Sequence, residues 1–268
     1  MKFILILLAG WCWLPIYAQR SPADTTNLLE EVIITASKFP EKRKYIAQPI
    51  IVMRHSEIAR SLSNNTAGLL EQSGKVFVQR SQLGGGSPVI KGFEASRILL
   101  VIDGVRMNNA IYRTGHLQNV ITIDDDILEK VEILPGPAST IYGSDALGGV
   151  IHFQTKQPLL DKIQTNVSAR YSSAMDEFTG HADVNIGTHK FASLTSFSFS
   201  RYGDLRQGSR RKSRYSDFGK RAQYIATING LDSIVQNDNV NIQRTSNYQQ
   251  YDLLQKFLWQ ARPGNRMN

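Results

Sequence analysis

VIHFQTKQPLLDKIQTNVSARY, from Val150 to Tyr171, holds the point at which the chain changes texture. Up to Thr155 the run reads as the last strand of a compact α+β unit. After Pro158 the pattern settles to a period of two: Ile163, Thr165, Val167, Ala169 and Tyr171 alternate with Gln164, Asn166, Ser168 and Arg170. Successive side chains of a strand point to opposite faces, so this segment has one apolar and one polar face. The alternation continues through Phe178, Gly180, Ala182, Val184 and Ile186, and a tight turn at 187–190 leads into Phe191–Tyr202. Long strands with such faces, ended by aromatics, are the signature of a membrane barrel with lipid outside and water inside. An antiparallel soluble sandwich alternates similarly. The connections favour the barrel, because the 187–190 turn is short whereas Gly203 to Asn247 is long, basic and polar.

Upstream, residues 45–157 have the texture of a mixed sheet with short helices. Pro49–Met53 reads as a strand and Ser56–Leu62 as a short helix with Ser56 as its cap. Asn65 or Thr66 caps a second helix, which Gly74 stops in a left-handed conformation. Val76–Val78 is a strand. Arg97–Ile102 is a nearly continuous apolar run closed by Asp103-Gly104, a strand followed by a turn. Ile127–Lys130 reads as a helical turn, Val131–Leu134 as a strand, and Pro135-Gly136-Pro137 as a rigid bend.

At the N-terminus, Lys2 precedes an uncharged apolar run from Phe3 to Trp13, Pro15 breaks it, and Ala18 stands before Gln19. This is the layout of a secretory signal over residues 1–18, too short to span a bilayer. Cys12 is the only cysteine and leaves with that signal, so the mature chain forms no disulfide or thiolate metal site. No other stretch is apolar and long enough for a transmembrane helix. Residues 19–44 read as a polar leader interrupted by the β-prone patch Glu31–Ala36. The net charge of +8 is uneven: residues 201–268 carry twelve basic against five acidic residues, centred on Arg206, Arg210, Arg211, Lys212 and Arg214. A solvated loop explains that run, and export argues against a nucleic-acid partner.

Three segments in order resemble the TonB-dependent receptors of the Gram-negative outer membrane. EEVIITA (30–36) is similar to the TonB box, which assigns the coupling role to Glu31, Val32, Ile33, Ile34, Thr35 and Ala36. LLEQSGKVFVQRSQLGGGSPVIKGFEASRILLVIDGVRMNN (69–109) resembles the middle of the plug domain, and VEILPGPASTIYGSDALGGVIHFQT (131–155) its closing signature. Lys91 stands where the family usually has Arg before Gly92, and Pro135 where it usually has Arg or Lys before Gly136. The resemblance implies an α+β plug in the lumen of a transmembrane β-barrel of about 22 strands. Only 111 residues follow Gln157, so the chain is expected to hold the first strands of an incomplete barrel. It implies a periplasmic N-terminus whose box pairs, by strand addition, with TonB and its inner-membrane energising complex. Outer-membrane lipid would surround the wall.

Within the family, DGVRMNNAIYRTGHLQN (103–119) and YGDLRQGS (202–209) resemble the haem and haemoprotein receptors. That likeness assigns haem-iron ligation to His116, with Tyr112 placed to stack on the porphyrin and a second ligand expected elsewhere. Haem iron is then the transported ligand rather than an enzyme cofactor. A ferric siderophore, cobalamin or another bulky nutrient would use the same plug, and a passive adhesion barrel would have no use for a free coupling strand. His55, His152, His181 and His189 read as structural or solvated. Asp124-Asp125-Asp126 lacks the EF-hand pattern and reads as a solvated acidic helix start. No His-Glu-x-x-His, nucleophile elbow or P-loop is present, so no enzyme is expected.

Overall fold

The computed structural model describes residues 32–33, 40–46, 48–80, 85–94, 97–107, 120–136, 138–262 and 265–267. The short strands β1 (Val32–Ile33) and β2 (Glu41–Lys42) pair antiparallel ahead of β3 (Ile51–Arg54), α1 (His55–Ser61) and α2 (Thr66–Gln72). Then come β4 (Phe77–Gln79), β5 (Ser87–Val89), β6 (Ile98–Ile102), β7 (Val105–Arg106), β8 (Leu128–Pro135), α3 (Ser139–Tyr142) and β9 (Gly149–Thr155). The central sheet has the order β3-β8-β9-β6-β7, with β6 and β9 parallel and the other neighbours antiparallel.

Its two faces are both covered, and strand alternation decides which residue goes where. Ile98 and Leu100 of β6 join Val131, Ile133, Ile151 and Phe153 in a core packed by α1 and α2. Leu99 and Val101 point the other way, with Leu134, Val150, Ile50 and Ala146. Burial on both sides is why β6 is apolar at every position and carries no period-two signal. Each such side chain contributes about 1.5–3 kcal/mol of transfer free energy.

The local signals hold in most places. Asn65 caps α2, its side-chain oxygen accepting from Gly68 N–H at 3.0 Å. Asp103 and Gly104, at φ 48° and 85°, form the two-residue turn from β6 to β7. Two expectations are corrected. Ser56 does not cap α1, which starts at His55; instead Glu57 reaches back to accept from Arg54 N–H at 2.8 Å. Residues 127–130 are not a helical turn, because β8 already begins at Leu128, where pairing to Thr155 of β9 outweighs the local preference.

After Pro158 the chain forms β10 (Ile163–Ser172), β11 (Glu177–Gly187) and β12 (Phe191–Tyr202), as the alternation predicts. The 203–247 connection carries β13 (Leu205–Arg206), β14 (Gln223–Ile228), β15 (Leu231–Gln236) and β16 (Ile242–Gln243), paired as two small sheets. It returns as β17 (Tyr248–Arg262), a fourth long strand paired to β12 from Tyr202↔Tyr248 to Phe191↔Trp259, and β18 (Asn265–Met267) follows. The outer face of this wall exposes Val167, Phe197 and Leu253 between aromatic ends, with Tyr171, Phe178 and Tyr251 at one end and Phe191, Phe257 and Trp259 at the other. That is the apolar band with two aromatic girdles that a lipid-facing wall needs. The inner face is polar and meets the first unit.

Contacts across that interface are specific. Lys156 pairs with Asp183 at 2.8 Å and Lys256 with Asp103 at 2.8 Å. Gln250 donates to the Ile121 carbonyl, and both Arg170 and Tyr202 donate to the Asn64 carbonyl. Asp103 also accepts from the Thr155 amide and hydroxyl, so Lys256 meets a carboxylate already held in place. In a double-mutant cycle, Lys256→Met with Asp103→Asn should show coupling of about 1 kcal/mol or more in urea unfolding. The exposed pair Lys220–Asp217 should give close to zero; equal couplings would contradict the docking. Gly149 has φ +153°, and a Cβ there would lie 2.7 Å from the Leu134 carbonyl oxygen of β8. Gly149→Ala should therefore destabilise by about 2 kcal/mol or more, read as a lowered unfolding midpoint, and an unchanged midpoint would refute the β8–β9 register.

Candidate functional site

Of the patch Glu31–Ala36, only Val32 and Ile33 lie among the described residues; Glu31, Ile34, Thr35 and Ala36 lie outside them. The pair is extended, as the β-prone composition implies, with Val32 opposite Lys42 and Ile33 opposite Glu41. Ile33 itself is nevertheless packed. Ile33 is fully buried, in the core that also holds Ile50, Leu99, Val101 and Val150. The cause is physical: that face of the central sheet is apolar, and a neighbouring isoleucine gains more by covering it than by standing in water.

His116 and Tyr112 fall in 108–119, outside the described residues, so their positions are not assigned. The anchors of that segment are well placed. Met107 and Val120 both pack on the helix-covered core, on the opposite face of the central sheet from Ile33. Next to Val120, the Ile121 carbonyl is held by Gln250, two residues into β17 from the end that carries the 203–247 connection. At this same end Tyr202 and Tyr248 stack with ring centroids 4.4 Å apart. Beside them a cavity of about 640 Å³ opens between the first unit and the wall, lined by Asn64, Asn65, Arg80, Met175, Leu205 and Gln243. Arg80 is fixed at its rim by Glu71 at 2.6 Å.

The four remaining histidines divide as expected into structural and solvated. His152 is buried, and its Nε2 accepts from Gly104 N–H at 3.1 Å, bracing the β6–β7 turn. His55 Nδ1 lies 2.9 Å from the Leu128 carbonyl, and His189 is exposed beside Asp161. His181 is buried on the inner wall in a chain of short contacts that the sequence did not reveal. Its Nδ1 is 2.6 Å from Ser198 Oγ, which donates to Asp124 at 2.6 Å, while Nε2 lies 3.1 Å from Asp183. The acidic triplet 124–126 is therefore not a solvated helix start but part of the seam between the first unit and the wall. Burial and the neighbouring Asp126 push the Asp125 carboxyl up to about 7, and burial raises that of Asp124. The one sequence signal that could have found these residues is position: His181 and Asp183 sit at polar, inward places in the alternation of β11.

Comparison with known proteins agrees with this architecture. Residues 42–150 match the TonB-dependent Receptor Plug Domain family. A curated relative, "Hemin receptor" of Yersinia pestis, is 26% identical over 216 residues, covering 75% of this chain and 31% of that protein. The Serratia marcescens hemophore receptor HasR, solved with its hemophore HasA and heme, superposes with a TM-score of 0.64 at 20% identity, over 83% of this chain and 30% of that one. The ferric enterobactin receptor PfeA of Pseudomonas aeruginosa gives 0.55 at 15% identity, over 81% and 32%. The chain thus spans about a third of the length of each of these three. With a mixed-sheet unit seated on the polar side of an apolar-backed antiparallel wall, the chain is similar in fold to these receptors, and its residues 42–150 match the plug domain of the TonB-dependent receptors.

Proposed function

We propose that this chain is the leading part of an outer-membrane receptor that imports haem, free or taken from a haemoprotein, with energy delivered by TonB. The observation that carries the reading is that Val120, which follows the His116 segment, adjoins Ile121, whose carbonyl Gln250 holds at the wall end that also carries the tyrosine stack, while Met107, which precedes the segment, packs on the same core. The 26% identity to a protein described as a hemin receptor supports the same ligand. In this reading, residues 1–18 direct export and 19–44 form the periplasmic leader. The 187–190 turn faces the periplasm and the 203–247 connection the exterior. His116 supplies an imidazole to the iron, and Tyr112 a ring to the porphyrin. The burial of Ile33 gives coupling a concrete first step, since strand addition by TonB requires that side chain to leave its core.

A ferric siderophore receptor is the second reading, favoured by the shared fold with the ferric enterobactin receptor. Haem titration of the full-length receptor in detergent micelles separates the two. The haem reading predicts a saturable Soret change, weakened about tenfold or more by His116→Ala with folding retained, a loss of at least about 1.4 kcal/mol. No saturable haem binding, or a spectrum and affinity that His116→Ala leaves unaltered, would favour the siderophore reading. For the coupling role, Ile33→Pro removes a backbone donor from the added strand. Cells carrying it should lose energised uptake while the purified variant still binds haem, and normal uptake would contradict the role.

A further inference from the structure

The seam between plug and wall carries more negative than positive charge. Asp124, Asp125 and Asp126 of the plug face Glu177, Asp183 and Asp252 of the wall. The guanidinium of Arg170 answers Asp125, Asp126 and Glu177, and the ammonium of Lys156 answers Asp183. Among the described residues no lysine or arginine pairs with Asp124, whose side chain is 11% exposed and accepts from Ser198. Carboxylates kept from water without a cation beside them are unfavourable.

We propose that Asp124, Asp126 and His181 form a divalent transition-metal site, of the zinc class, that pins the plug to the barrel wall. One ligand atom from each residue lies within 4.8 Å of the other two, close enough for a single ion to bind all three. Asp124 Oδ2 is 3.7 Å from His181 Nδ1, a separation that a shared ion spans and a direct hydrogen bond does not. The other imidazole nitrogen, Nε2, donates to Asp183, which Lys156 and Asn166 hold in turn. With Nε2 held by a carboxylate, the arrangement by which proteins orient a metal-binding ring, Nδ1 is left as the nitrogen that can bind an ion. Ser198 Oγ, 2.6 Å from both Nδ1 and Asp124, bridges the two by hydrogen bonds that an entering ion would replace. One imidazole with two carboxylates and no thiolate selects zinc-like ions over both magnesium and soft cuprous copper. Because two ligands come from the plug and one from the wall, the ion would strengthen their docking, and its loss would loosen it.

The test uses the untagged full-length receptor in detergent micelles, stripped with a chelator and titrated with Zn²⁺. One equivalent should bind saturably, and X-ray absorption at the zinc edge should show one imidazole with oxygen ligands and no sulfur. Asp126→Asn and His181→Gln should each weaken binding by about tenfold or more, with the circular dichroism spectrum unchanged. Zn²⁺ should raise the urea midpoint of the wild type and not of either variant. No saturable binding by the wild type, a first shell with no imidazole or with several, or binding that both variants retain would overturn the proposal. If a variant fails to fold, the wild-type absorption spectrum decides alone.

Discussion

A barrel strand that turns an apolar face to lipid must turn its polar face inward, and every polar group there needs a partner. In this chain the plug supplies many of them. Arg170, His181, Asp183, Ser198, Gln250 and Lys256 stand on inward positions of β10, β11, β12 and β17, and each reaches a plug residue directly or through one intermediary. The plug's own edges are built to receive them: the loop at Asn64, the acidic seam 124–126 and the β6–β7 turn all offer acceptors. Plug and wall are therefore joined by hydrogen bonds and ion pairs rather than by an apolar core. A polar interface of this kind can be rearranged locally without exposing apolar surface.

The central sheet obeys the opposite rule. Its β6 strand has apolar cores on both faces, so the plug is held together by burial while being docked by polarity. Ile33 links the two regimes. It lies outside the sheet, paired only to a two-residue strand, yet it fills a place in one of the plug's cores.

Much of this was legible in the sequence, and the failures have identifiable causes. The Asn65 cap, the Asp103-Gly104 turn and the strands from Ile163 to Tyr202 depend on local chemistry or strict alternation, and the sequence displays both. Strand β17 was missed because Leu254 and Leu258 occupy inward positions, blurring the period, and because 45 residues of connection separate it from β12, its pairing partner. The burial of Ile33 and the role of the 124–126 triplet were not legible at all. Each depends on which distant surface the segment meets, Leu99 and Val101 for one, His181 and Ser198 for the other, and no local pattern encodes that. The His116 and Tyr112 assignments rest on the resemblance and on the anchors Met107 and Val120, since the segment between those anchors is not described.

The central claim is that plug and wall divide two solvents, lipid on one side and a polar lumen on the other. Nitroxide labels placed singly along β10 and β17 of the full-length protein in lipid vesicles test it most directly. Labels at Val167 and Leu253, both outward and exposed, should be open to dissolved oxygen and closed to a water-soluble nickel chelate. Labels at Ser168 and Leu254, one residue on and facing inward, should show low oxygen access. A period-two oscillation along both strands, in phase with the pairing, is the predicted result. Uniform access along either strand, or an oscillation with the opposite phase, would contradict the account.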